Sequence, residues 1–441
     1  MASPAHAALR AAVSPLRALA LAAAAALMIA GCGKQEPPKP AAEAPKPPPE
    51  VTVRIGVAAP LTGPQAHLGK DVENGARLAI DEANAANIVI GGNRIRFELV
   101  AEDDEASGTK ATVVAQSFVD KKVSAVIGHM NSGASIPASK IYSDAGIAQV
   151  SPSATAITYT AQGFRTTFRV MANDLHQGQV LGAYAVRQMG GKRIAIIDDR
   201  TAYGQGLADE FEAAVKASGG TVVAREYTTD KATDFRAILT TVRGRKPDLL
   251  FYGGMDAQFG PMVEQVRTLK AATQLLSGDG AQSAQFIKLG GAAAEGVIAS
   301  SAGLPLDKMP GGTQFAERFK AKYGEIQIYA PFAYDAAWTI IDAMKAANSV
   351  EPARILDALA KIERKGVTGP IAFDEKGDIK GGSITMYTVK GGSWVTLETI
   401  GGAPAAAPAP AGDAARPAEA PAAVAAPPTA APAAPAPAPA K

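Results

Sequence analysis

Among its 441 residues the chain has one cysteine, two tryptophans and four histidines, and these scarcities remove whole classes of function. A lone thiol, Cys32, can build neither an intramolecular disulfide framework nor a thiolate-rich metal site. His6, His67, His129 and His176 lie too far apart for metal-ligand spacing, so no metal is expected. Charge of one sign is also lacking: Lys+Arg number 44 against Asp+Glu 42, a net charge of +2. That balance offers no basic field for displacing counterions from nucleic acid. No Gly-x-Ser-x-Gly elbow occurs, and the nearest approach to a dinucleotide fingerprint, Gly204-Gln205-Gly206, has Asp209 where the third glycine belongs. The expectation is a protein that binds without catalysis and needs no cofactor.

Proline is plentiful but confined. Seven of the 31 prolines fall between residues 33 and 50, and eleven fall after residue 400. Neither stretch can build a core. Residues 1–31 place Arg10 and Arg17 before an uncharged run, Ala18 to Ala30, which is too short to span a bilayer and reads as the apolar part of a signal peptide. The run ends Ile29-Ala30-Gly31-Cys32, which resembles the lipobox of bacterial lipoproteins. That resemblance implies cleavage before Cys32 and diacylation of its thiol. Residues 32–50 then read as a Pro-rich tether, and 401–441 as an Ala/Pro-rich disordered tail.

The remaining stretch, Val51 to Ile400, is long enough for two domains of ordinary size. It repeats one rhythm, a short β-branched run ending in Gly or Ser followed by an amphipathic helical stretch, which is the rhythm of a doubly wound parallel sheet. The first series predicts strands at Val51–Ala58, Ile95–Ala101, Val123–Gly128 and Ile147–Val150, with helices at Gly69–Ala86, 108–121 and Ala134–Asp144 between them. A short run, Phe168–Met171, ends it. The second series predicts strands at Arg193–Asp198, Thr221–Tyr227, Asp248–Tyr252, Leu275–Ser277 and Gly296–Ser300. Helices near 313–323, 333–347 and 351–362 follow, then a hairpin-like pair around Gly391-Gly392.

In such sheets ligands bind beyond the carboxyl ends of the strands. Strand Val123–Gly128 runs into His129-Met130-Asn131-Ser132-Gly133, where a helix opens, and small residues there let backbone N–H groups meet an anion at the positive end of the helix dipole. Strand Ile147–Val150 runs into Ser151-Pro152-Ser153-Ala154-Thr155, which supplies hydroxyls and a carbonyl. The same hydroxyls would serve equally as helix caps. In the second series Asp279, between Gly278 and Gly280, can pair an ammonium or form a plain Asx turn. Tyr203 can close over a ligand or fill the core, and His129 reads as a structural loop residue.

These loops, in this order, resemble the type I periplasmic binding proteins of the branched-chain amino-acid class, the Leu/Ile/Val-binding proteins of ABC importers. The resemblance runs from Ile55-Gly-Val-Ala-Ala-Pro-Leu-Thr-Gly63-Pro64 through Gly128-His129, Ser151-Pro-Ser-Ala-Thr155, Tyr203-Gly204-Gln205-Gly206 and Tyr252-Gly253-Gly254 to Phe373-Asp374-Glu375-Lys376-Gly377-Asp378. It implies two Rossmann-like lobes, residues 51–173 with 303–383 and residues 174–302 with 384–400, joined by a three-crossover hinge near Asn173, Ser301 and Ser383. It also implies that Ser132 and Thr155 hold an α-carboxylate, that the Ser153 carbonyl and Asp279 hold an α-ammonium, and that Tyr203 contacts the solute. Met130, Leu68, Met255 and Tyr329 would wall the side-chain pocket, with Asn131 where some members carry a cysteine. The family often has Glu at the place of Asp279 and an aromatic at that of Leu68, which leaves the ligand's identity open. The implied partners are a small amino-acid-like ligand and an ABC permease reached from a lipid anchor on the periplasmic side of a bacterial membrane, the protein itself being a monomer. A ligand sensor of the same fold, reporting to a receptor or regulator, is the alternative.

Overall fold

Runs such as Ala125-Val-Ile-Gly128 and Leu249-Leu-Phe-Tyr-Gly253 are apolar at every position, and a strand of that kind is stable only when both its faces are covered. In the computed structural model, which describes residues 47–272 and 274–401, both are central strands with every residue buried. The leader, Cys32, most of the tether and all but the first residue of the Ala/Pro tail lie outside the described residues.

The first sheet takes its strands from one continuous stretch: β1 (Glu50–Ala59), β2 (Val89–Ile90), β3 (Asn93–Asp103), β4 (Ala125–Gly128), β5 (Ala148–Ser151) and β6 (Thr167–Arg169), in the order β2-β3-β1-β4-β5-β6. The second uses β7 (Arg193–Asp198), β8 (Thr221–Tyr227), β9 (Leu249–Gly253), β10 (Gln274–Ser277) and β11 (Ile298–Ser301). A separate ribbon of β12 (Glu363–Lys365) and β13 (Pro370–Ala372) follows, and then β14 (Ser383–Lys390) and β15 (Ser393–Gly401) complete the second sheet in the order β15-β14-β11-β10-β9-β7-β8. The chain therefore passes between the sheets after β6, after β11 and before β14.

Within each sheet the strand order reverses beside the first strand, at β1/β4 and at β7/β9, and crevices form at the carboxyl ends of strands at such points. The sequence reading held both sheets to be parallel. The first has an antiparallel edge, the short β2 on β3, and the second an antiparallel flank, β14 on β11 and β15 on β14; the latter pair is joined by Gly391 and Gly392, whose φ of 60° and 73° make a tight turn that can join only antiparallel neighbours. The reading also passed over the short helix Ile157–Ala161 and the β12–β13 ribbon, which are too brief to show a period.

Helices cover both sheets, and one pair positions part of the crevice. Helix Ala66–Ala85 lies against helix Ala330–Ala347, and a Cβ at Gly75 would stand 2.2 Å from the Ala330 carbonyl oxygen, so only glycine permits this approach. Four residues earlier, buried Asp71 accepts the backbone N–H groups of Gln327, Ile328, Tyr329 and Ala330 at 2.7–3.0 Å. They belong to the segment that enters helix Ala330–Ala347 and to its first residue, whose N–H has no partner within the helix, and satisfying them fixes the backbone of Tyr329. No helix among the described residues is long and apolar enough to cross a membrane.

Candidate functional site

The loops that leave the strand ends converge on one cavity. Met130, Asn131 and Ser132 follow β4, Ser153 follows β5, Tyr203 follows β7, Met255 follows β9 and Asp279 follows β10, with Tyr329 added from the start of helix Ala330–Ala347; together they enclose a space of about 20 Å³. That is room for roughly one water molecule, so these walls stand in a closed arrangement.

On the side of the first sheet the cavity meets the opening of helix Ser132–Ala145, whose N-cap, Asn131, makes no side-chain cap bond. The Ser132 hydroxyl accepts the Ala156 N–H at 3.1 Å, which leaves its own proton to give. Ser153 donates to the Met130 carbonyl at 2.8 Å, and Ser151 ties this loop to the His129 carbonyl, also at 2.8 Å. Arg169, wholly buried, clamps the next turn through Nη1 to the carbonyls of Ala154 and Ala156 at 2.8 and 2.9 Å, with Nε on Asp378. Thr155 is thereby held between two anchored carbonyls.

On the side of the second sheet the cavity meets a buried carboxylate. Asp279 Oδ1 accepts from Gln177 Nε2 at 2.8 Å and the Tyr203 hydroxyl at 3.0 Å, and Oδ2 accepts from the Tyr329 hydroxyl at 2.8 Å. Burial raises the Asp279 pKa above the usual carboxylate range, and the Gln177, Tyr329 and Tyr203 donors oppose that rise. A carboxylate offers about four lone-pair sites, so these donors leave room for one more. Burial likewise pushes both tyrosine hydroxyls well above their ordinary value, so they act as O–H donors. Beneath Met255, Asp256 is fully buried and accepts from Ser283 at 2.5 Å, while His67 Nε2 lies 2.7 Å from the same Oδ2. Tyr329–Asp279 and His67–Asp256 are thus polar links from one sheet's layer to the other's.

Of the candidate residues, Ser132, Ser153, Tyr203, Asp279, Met130, Asn131, Met255 and Tyr329 come together on the cavity wall. Thr155 and Leu68 are buried off that wall. The Thr155 hydroxyl lies beside the Asp174 carboxyl, and neither has a hydrogen bond of good geometry among the described residues. Leu68 stands in register with Val72 and Ala76 on the core stripe of its helix and belongs to the same buried cluster. His129 is committed to Asp104 and Tyr142, at 2.7 and 3.0 Å. Sequence reasoning missed Gln177, Asp71, Asp256 and the role of Arg169: Gln177 and Asp71 lie within helices, Arg169 ends a strand, and Asp256 directly follows Met255 with nothing in the sequence to mark it.

Comparison with known proteins gives the family and the fold. A family model described as periplasmic binding protein matches residues 52–393. The Leu/Ile/Val-binding protein homolog 1 of Brucella suis biovar 1 (strain 1330) is 33% identical over 336 residues, 76% of this chain and 90% of that protein. The branched-chain amino acid transporter substrate binding protein of Streptococcus pneumoniae, solved in complex with isoleucine, superposes with a TM-score of 0.73 at 29% identity, covering 80% of this chain and 100% of that one. A solute binding protein of an ABC transporter from R. palustris, solved in complex with benzoate, shares the fold at a TM-score of 0.72 and 21% identity, covering 80% of this chain and 97% of that one.

Proposed function

Because the chain belongs to the periplasmic binding protein family, we propose that it is the extracytoplasmic solute-binding component of an ATP-driven importer, taking up a branched-chain or related amino acid in its cleft and delivering it to a membrane permease. The observation that supports this reading is the pairing of opposite chemistries in one cavity. A helix N-terminus with the Ser132 hydroxyl faces the same space as the buried carboxylate of Asp279. The first favours an anion and the second a cation, and an amino acid presents both on adjacent atoms.

In this reading the α-carboxylate meets Ser132 and the backbone N–H groups of the helix opening, and Thr155, off the wall in this closed arrangement, has to turn its hydroxyl from Asp174 toward the ligand to join them. The α-ammonium gives one N–H to the remaining site on Asp279 and another to the Ser153 carbonyl. Tyr203, Met130, Met255 and Tyr329 surround the side chain. Two lobes, residues 51–173 with 303–383 and residues 174–302 with 384–400, part and close about the crossovers near Asn173, Ser301 and Ser383. The permease selects the closed form, and ligand shifts the population only by its differential affinity for that form. A lipid on Cys32 would hold the protein at the membrane, on the periplasmic side.

The test is thermal unfolding of the purified protein against leucine, isoleucine, valine, phenylalanine and benzoate. A ligand at about 100 times its dissociation constant stabilises the folded state by about 2.7 kcal/mol, a shift of a few degrees in Tm. The expected outcome is a shift with at least one of the aliphatic amino acids and none with benzoate. A shift with benzoate alone would keep the fold and sink the amino-acid reading.

A further inference from the structure

Asp279 is held by donors of two kinds. Tyr203 and Tyr329 each reach it with one hydroxyl whose proton turns about a single bond, and the Tyr203 oxygen also accepts the Gly280 N–H at 3.0 Å. Gln177 is different. Its Nε2 donates to Asp279 Oδ1 at 2.8 Å, and its Oε1 accepts the backbone N–H of the same residue at 3.2 Å, so one amide closes a ring with both the main chain and the side chain of Asp279. The orientation of that amide follows from chemistry. A backbone N–H can only donate, so the Gln177 atom facing it is the oxygen, and the atom facing the carboxylate is then the nitrogen. A second donor to the oxygen, the Ser300 hydroxyl at 2.6 Å, removes what freedom to flip remains. All of these groups are buried.

We infer that Gln177 is the positioning residue that sets the direction of the Asp279 carboxylate, and with it the preference of the cleft for a primary ammonium group over a ligand that lacks one. The inference rests on the reading of the cleft as an amino-acid site. Its location adds a consequence. Gln177 sits in the first turn of helix Asp174–Arg187, directly after the first passage between the sheets, and its backbone N–H bonds to the Asn173 carbonyl at 3.0 Å. Ser300 stands at the end of β11, directly before the second passage. One side chain therefore ties the ammonium-binding carboxylate to two of the three segments about which the lobes would turn, so an ammonium seated on Asp279 is braced against the hinge itself.

The experiment measures dissociation constants by calorimetry for leucine and, by competition against it, for 4-methylpentanoate, which has the same skeleton without the amine. The proteins are the wild type, Gln177→Met and Ser300→Ala, each checked for cooperative unfolding. Loss of one hydrogen bond to a charged group predicts that Gln177→Met weakens leucine by about tenfold and leaves 4-methylpentanoate within about twofold. Ser300→Ala should shift the ratio the same way by less, and it keeps the test alive if the methionine variant does not fold. Parallel weakening of both ligands would show a merely structural role and overturn the inference, as would an unchanged leucine constant. A wild type that does not favour leucine over 4-methylpentanoate would instead overturn the amino-acid reading, and this inference with it.

Discussion

The two walls of the cleft are built by different means. The wall on the first sheet is made from main chain and hydroxyls: a helix opening at Ser132, the Ser151–Thr155 loop, and Arg169 holding the carbonyls on either side of Thr155. The wall on the second sheet is made from one ionisable side chain, Asp279, whose direction depends on Gln177, Tyr203 and Tyr329. Partial charges spread over several backbone groups degrade gently when one donor is lost. A single buried carboxylate cannot be replaced by its neighbours. The wall that favours a cation should therefore be the more fragile of the two.

Asp279→Ala carries the largest expected effect. Truncating one partner of a buried, hydrogen-bonded charge pair costs about 2–5 kcal/mol of binding, or roughly 30-fold to several thousand-fold in the dissociation constant for leucine. The same change should leave 4-methylpentanoate unharmed or slightly improved, because a ligand carrying only a carboxylate gains when a negative group departs. Calorimetry with both ligands reads the difference, and equal losses would contradict the division of labour.

The opposite wall should respond in another pattern. Ser132→Ala with Thr155→Val removes two hydroxyls but keeps the helix opening, so leucine and 4-methylpentanoate should both weaken, by about 30- to 150-fold at 1–1.5 kcal/mol for each hydrogen bond. A loss confined to leucine would place the carboxylate elsewhere. Together the two variants turn the comparison into a ratio: one wall changes the ratio of the two ligands, and the other changes their sum.

The walls also differed in how far they could be read from the sequence. Strands that end in Gly or Ser, and the helix that opens at Ser132, lie within a few residues of one another, so periodicity located the main-chain wall. Asp279 was visible because it sits between glycines directly after a strand. Of its supports Tyr203 and Tyr329 were named, but Gln177 was not, nor were the groups that hold Tyr329 and the opposite wall. Gln177 and Asp279 are 102 positions apart, Asp71 and Tyr329 are 258 apart, and Arg169 and Asp378 are 209 apart. Nothing local marks a helical Gln or Asp as the partner of a residue that the fold delivers from far along the chain. Leu68 shows the converse limit: its place by the cleft came from a family resemblance, while its spacing with Val72 and Ala76 put it on the core stripe. The antiparallel β14–β15 flank was half legible, since Gly391-Gly392 announced a hairpin but not the sheet it joins.

The last comparison is read in stability and not in binding, and concerns Asp174, which borders the hydroxyl wall beside Thr155. Burial raises its pKa from the usual carboxylate value to about 8, more than the nearby Thr155 hydroxyl and the Arg169 charge offset. The unfolded chain releases this proton near pH 4, whereas the folded protein keeps it up to about pH 8. The folded state thus binds the extra proton within that window, and the stability contributed by this group falls as pH rises through it. Asp174→Asn mimics the neutral acid and does not titrate. Its Tm relative to wild type should therefore climb between pH 5 and pH 8, with every other titrating group cancelling in the difference. A gap that stays constant with pH would mean that Asp174 is ionised in the folded protein. In that case a negative charge would stand beside the Thr155 hydroxyl and draw its proton away from the ligand, and the hydroxyl wall would have to hold an anion with Ser132 and the helix opening alone.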